Sequence, residues 1–176
     1  MGVIFITGCY GVGKSTIMHN LSSRTSIPCF SASRLISEAT GEKYGKNKYV
    51  SDKNSNQIRL VSAIEKKLKK YPQIFLDGHF CIFKEGNAID ILPLTDLAQM
   101  HFEKILLLEA EPNIILKNLS NRDGKEYTLE NITNLMDIEH QQAVKFSNEN
   151  KIPLYVYQMQ LDGFDLDKIL AFCGEI

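Results

Sequence analysis

The run Gly8-Cys9-Tyr10-Gly11-Val12-Gly13-Lys14-Ser15 places glycines, a lysine and a hydroxyl at the spacing GxxxxGK[ST], with Thr16 directly behind. Residues of these types in this order can hold a chain of phosphate groups. Glycine lets successive backbone N–H groups turn inward and approach phosphate oxygens with no Cβ in the way. The helix expected to open here adds the positive end of its dipole. Lys14 brings a point charge to the outer phosphates, and the Ser15 hydroxyl suits Mg2+. The residues expected to touch a nucleotide are therefore Gly8, Tyr10, Gly11, Val12, Gly13, Lys14, Ser15 and Thr16.

A second piece of phosphate chemistry stands downstream. Ile74-Phe75-Leu76-Asp77 reads as an apolar strand ending in a carboxylate. Asp77 is the candidate partner of Ser15 in holding the metal, directly or through water, and a candidate catalytic residue beside Lys14. Gly78 offers a place of close approach, and His79 a titratable group beside the phosphate path.

These groups need elements to position them. Short apolar runs at 3–7, 27–30, 74–77, 104–108 and 154–157 read as buried strands. Helical periodicity follows the first run through Ile17, Met18 and Leu21, and Ser31 and Ser33 supply capping hydroxyls for a helix to Thr40. A loop is expected over 41–52, then a helix over 53–70 with Ile58, Val61, Ile64 and Leu68 on its apolar stripe. Residues 80–94 suit an irregular excursion, and 95–101 a short helix. A helix starting at Pro112 should stop near Leu119, where the polar run 120–125 begins. Thr128 caps a long helix to Asn150 with Ile132, Leu135, Met136, Ala143 and Phe146 on one face, and 166–172 closes the chain helically. Strands alternating with helices call for an α/β fold: a five-stranded parallel sheet with helices on both faces.

Composition narrows the classes. The chain has 176 residues, 44% hydrophobic and 23% charged, which suits one soluble domain spanning 1–176 and excludes disorder. Its net charge of -1 argues against a protein built to coat nucleic acid. No apolar run approaches the roughly 18 residues of a membrane span, and no secretory signal is visible. Four cysteines without a CxxC spacing suit a reduced compartment, so the expected location is cytoplasmic.

With these residues in view, the sequence resembles the P-loop kinases of the nucleoside monophosphate kinase type. Three matches carry the resemblance: the phosphate loop close to the N-terminus, Leu76-Asp77-Gly78 at the end of the third strand, and Arg122 in the polar break after the fourth. The Asp77-Gly78-His79 stretch is similar to the Asp-x-His of archaeal-type adenylate kinases. The resemblance implies a P-loop NTPase three-layer sandwich with a short lid at about 120–127 and an acceptor-side segment at about 31–70. It implies ATP and Mg2+ as cofactors and γ-phosphoryl transfer to an anionic acceptor, a nucleoside monophosphate. Arg122 would then be both a nucleotide ligand and a catalytic charge. The family's Pro-Arg after Asp-Gly is absent here, where His79-Phe80-Cys81 follows.

Arg34, Gln57 and His79 are the candidate acceptor ligands. From Lys43 to Lys70 nine basic residues face two acidic ones, a bias that can attract an anion, although lysines late in a helix also complement its dipole. Two alternatives stay open: a kinase for another small acceptor or, less favoured, a polynucleotide end, and a nucleotide-dependent ATPase switch acting through a partner.

Overall fold

Alternation in the central strands divides the core in two. The computed structural model describes residues 2–40, 53–123, 126–160 and 163–174, and strand β1 (Gly2–Thr7) is buried along its whole length. Ile4 and Ile6 join one apolar cluster while Val3 and Phe5 join the other. A strand with both faces covered must be apolar on both, which is why it reads as an unbroken hydrophobic run.

Helix α1 (Lys14–Arg24) follows the phosphate loop, then β2 (Cys29–Ser31), α2 (Ala32–Thr40), α3 (Lys53–Leu68) and β3 (Gln73–Asp77). A hairpin of β4 (Cys81–Phe83) and β5 (Ile89–Ile91) comes next, then the single turn α4 (Leu94–Leu97) and strand β6 (Phe102–Glu109). Helices α5 (Pro112–Asp123) and α6 (Leu129–Asn150), strand β7 (Leu154–Gln158) and α7 (Asp165–Cys173) complete the order. The main sheet has the order β2-β3-β1-β6-β7 and is parallel throughout. Side chains of α1, α5 and α7 pack on one face, and those of α2, α3 and α4 on the other. This is the three-layer α/β sandwich expected, with all five strands where the apolar runs placed them.

Four local expectations fail, each for a physical reason. The excursion at 80–94 contains an antiparallel hairpin, turned by Gly86 and Asn87 at φ 72° and 61°. Helix α5 runs on to Asp123, because Ser120, Asn121 and Arg122 lie on an exposed face where polarity does not end a helix. The break expected at 120–125 is correspondingly shorter, and Lys125 lies outside the described residues, as does the loop 41–52. Ile58 is 72% exposed: α3 buries Leu60 and Ile64 together with the amides Asn56 and Gln57, so its inner face is rotated from the predicted stripe. His101, expected inside a short helix, instead ends a 3-10 turn in the left-handed region at φ 55°. The long helix starts as expected, in a capping box where Thr128 Oγ1 accepts from Asn131 N and the Asn131 side chain accepts from Thr128 N.

Candidate active site

The phosphate loop lies between the end of β1 and the start of α1. Gly8, Gly11 and Gly13 take φ of 139°, 81° and 106°, values that L side chains rarely adopt. At Gly8 the need is also steric, because a Cβ there would stand 2.4 Å from the Leu108 carbonyl oxygen. Asn118 of α5 holds the loop from outside, its Nδ2 donating to Gly11 O at 2.9 Å. Lys14 is buried, and its ammonium donates to Gly8 O at 2.6 Å and Cys9 O at 3.0 Å. The charge is thereby curled over the loop itself. Ser15 and Thr16 are exposed at the first turn of α1.

Register brings Asp77 to this loop. Parallel pairing sets Ile6 against Asp77 on one side and Ser31 against Asp77 on the other, at the ends of their strands. Gly78 then folds against β1, donating its N–H to Ile6 O at 3.1 Å. A Cβ at position 78 would meet the Phe5 ring at 2.7 Å, so a side chain here would push the acidic end of β3 off the core.

Asp77 borders two cavities. One, of about 510 Å³, is the more polar of the two and is lined by Ser15, His19, Ser31, Arg34 and Lys67 as well as Asp77. The Ser15 hydroxyl and the Asp77 carboxylate thus share one space, and both are the hard oxygen donors that Mg2+ takes, one or two from protein and the rest from phosphate and water. Among the described residues no group of three or more metal-ligating side chains exists, so a metal here would depend on phosphate oxygens. The other cavity, of about 140 Å³, is apolar, walled by Leu60, Leu76, Leu97 and Met100. Its polar members include Asn56, Gln57, Asp77 and His79, and Gln57 Oε1 is buried there with no hydrogen-bond partner.

The predicted acceptor ligands therefore separate. Gln57 and His79 line the apolar cavity together, whereas Arg34 lines the polar one, with its side chain 80% exposed and its Nε donating to Glu38 at 3.0 Å. The His79 ring lies against the Tyr10 ring, centroids 4.2 Å apart, so the phosphate loop itself contributes a wall of the apolar cavity. Tyr10 also faces Phe83, which stacks in turn on Tyr127. Burial pushes the Tyr10 phenol well above its ordinary value and Glu139 adds to the rise, while the Arg122 guanidinium pulls against it. Arg122 lies exposed on the last turn of α5.

Sequence reasoning missed Glu139. This residue of α6 is 1% exposed and lies directly beneath the phosphate loop. Its carboxylate accepts from Thr7 Oγ1, Gly8 N (3.2 Å), Phe80 N (3.0 Å), Cys81 N (2.8 Å) and Cys81 Sγ (3.2 Å). A signal for it existed: position 139 falls four residues after Leu135 and four before Ala143, inside the apolar stripe. A charge at such a position must be paired or hydrogen-bonded.

Burial sets the chemistry of the nearby thiols. It pushes Cys9 up to about 12, against the pull of Lys14, and drives Cys81 higher still, with Glu139 reinforcing the rise. Cys29 rises to about 11, again by burial first. These are buried thiols kept neutral, in keeping with their use as small hydrophobes.

Comparison with known proteins bears on the family and the fold. A family model described as an AAA domain, AAA_17, matches residues 7–136. The adenylate kinase of Thermoplasma acidophilum is 24% identical over 148 residues, 81% of each chain. A shikimate kinase from Acinetobacter baumannii shares the fold with TM-score 0.62 and 13% identity, covering 99% of this chain and 94% of that one. A sugar kinase from Janibacter sp. HTCC2649 shares it with TM-score 0.60 and 11% identity, covering 99% and 95%. No described helix is long and apolar enough to cross a membrane. The match spans the phosphate loop, the Asp77 strand and the first turns of α6, and the chain belongs to the AAA_17 family of AAA domains, built on the P-loop kinase fold.

Proposed function

We propose that this chain is an ATP-dependent kinase that moves the γ-phosphoryl group of Mg-ATP to a nucleoside monophosphate. The observation that carries the reading is Asp77, which stands between a polar cavity shared with Ser15 and an apolar cavity holding two buried amides. A planar base suits the second space: aliphatic side chains can cover its faces, while Asn56 and Gln57 meet its polar edge. The unpartnered Gln57 Oε1 calls for an N–H donor, which a base supplies.

The chain's own groups then divide the work. Backbone N–H groups within the loop between Gly8 and Thr16 hold the donor phosphates, and Lys14 leaves the Gly8 and Cys9 carbonyls to neutralise charge on the moving group. Ser15 and Asp77 would hold Mg2+, which when bound neutralises charge on the β- and γ-phosphate oxygens. Arg122 approaches from α5 and stabilises the charge that grows in the transition state. Tyr10 and His79 lie against each other at the wall of the apolar cavity and limit the entry of water to the transfer path.

A second reading has its own support. Among the described residues, no arginine or lysine lines the apolar cavity. A neutral acceptor, with its hydroxyl turned to Asp77 as base, fits that lining, and the fold neighbours include a kinase named for a sugar. One assay separates the readings: ADP release from Mg-ATP alone and with AMP, CMP, UMP, GMP or dTMP. Stimulation by one monophosphate, with its diphosphate as product, supports the first. Indifference to all five overturns it. Stimulation by a neutral polyol instead would then move the assignment to the second reading, and slow unstimulated hydrolysis to a nucleotide-dependent switch.

A further inference from the structure

We propose that Glu139 is a positioning residue: its one carboxylate fixes the phosphate loop and the segment 78–81 against each other, so that nucleotide on the loop sets the place of Asp77 and His79. The inference rests on the phosphotransfer reading for its catalytic consequence, but not for the coupling itself. The geometry is unusual in its division of labour. Oε1 takes Thr7 Oγ1 and Gly8 N, at the entry to the phosphate loop. Oε2 takes Cys81 N and Cys81 Sγ, just beyond His79. Phe80 N is shared between the two oxygens at 3.1 and 3.0 Å. Thr7 adds a longer link, its hydroxyl lying 3.5 Å from Gly78 O. Five donors thus converge on a side chain from a third element, α6, which is itself anchored in both halves of the core through Ile132 and Leu135 on one side and Ala143 and Phe146 on the other.

Only a group that accepts on both oxygens can serve both segments. A glutamine at 139 has one accepting oxygen and one donating nitrogen. Whichever way its amide turns, the NH2 faces backbone N–H groups: those of Phe80 and Cys81 in one orientation, that of Gly8 in the other. One segment keeps its anchor and the other is released. The charge matters as well, since backbone donors bind an ionised acceptor more strongly than a neutral one. A shift of about 1 Å between donor and acceptor groups costs on the order of 10²-fold in rate. The carboxylate is therefore tied to rate through geometry, without touching the reacting atoms.

The test compares the wild-type chain with Glu139→Gln and with Thr7→Val, which keeps the side-chain shape and removes one donor. Amide hydrogen exchange is followed at residues 8–16 and 78–81, with and without a non-hydrolysable ATP analogue. ADP release is measured in parallel, per folded molecule. In the wild type, the analogue should slow exchange in both segments; in Glu139→Gln it should slow exchange in one segment only. The rate per molecule should fall on the order of tenfold to 10²-fold while the KM for ATP moves less than about threefold. Thr7→Val should show the same pattern several-fold weaker. If Glu139→Gln does not fold, Thr7→Val decides by the same two readouts. Protection of both segments as in the wild type, or a fall in rate matched by an equal rise in KM, overturns the proposal and leaves Glu139 a purely structural acceptor. If the wild type shows no acceptor-dependent turnover, the kinase reading fails while hydrogen exchange still decides the role of Glu139.

Discussion

The donor side and the acceptor side of the proposed site are built in opposite ways. The donor side is one stretch of nine residues, 8–16, whose backbone conformation is set by its own glycines. The acceptor side is gathered from α2, α3, the end of β3, the hairpin and the turn before β6. A loop that works through main-chain N–H groups needs particular residues at fixed spacing, so it is written locally. A cavity needs only that suitable side chains meet, and many sequences meet that condition. The difference teaches where substitutions should act: on the donor side they remove chemistry, on the acceptor side they change what is recognised.

The largest effect should come from breaking the donor side at its charge. Lys14→Ala is expected to lower kcat by about 10²–10³-fold with an unchanged circular dichroism spectrum. Near wild-type ADP release in that variant would end the assignment of the loop. Next comes the charge that reaches the loop from α5. Arg122→Ala should reduce kcat on the order of tenfold and raise the KM for ATP by less, because the transition state carries more charge on the moving group than the ground state. Loss of ATP affinity with kcat preserved would make Arg122 a simple binding residue.

On the acceptor side the sign of the stability change sharpens the contrast. Gln57 is only 9% exposed, with an orphaned oxygen among aliphatic neighbours. Gln57→Leu should stabilise the fold by about 1 kcal/mol in urea unfolding while raising the KM for the acceptor and leaving that for ATP alone. A destabilised variant with unaltered acceptor KM would show that the amide serves the fold rather than recognition. The smallest effect concerns pH. Folding lifts the Cys9 thiol from 9.0 to about 12, so the native state holds a proton that the unfolded chain releases above pH 9. Its contribution to stability is complete below pH 9 and is lost as pH rises towards 12. Urea midpoints at pH 8 and pH 10 should fall less steeply in Cys9→Ala than in the wild type.

The parallel sheet, its helices and the phosphate loop were legible because their signals are local: apolar runs of strand length, a cap at Thr128, a lysine and serine after spaced glycines. The rest needed distant residues to meet. Ile58 looked like core because periodicity counts apolar residues, yet α3 turns Asn56 and Gln57 inward to face a cavity no single helix encodes. Arg34 was expected beside Gln57 and His79 on the acceptor side, whereas α2 places it at the cavity shared with Ser15 and Asp77, paired with Glu38 one helical turn on.

By itself, then, the sequence determined the succession of the main-sheet strands and long helices and the phosphate-loop motif, because backbone geometry and hydrophobic period are properties of neighbouring residues. Tertiary structure alone decided that Asp77 would border two cavities, and that Glu139, 131 residues along the chain from Gly8, would accept from its backbone. A buried carboxylate is tolerated only where donors surround it, and those donors come from β1, the segment after β3 and the hairpin, which lie beside one another only once the sheet has formed.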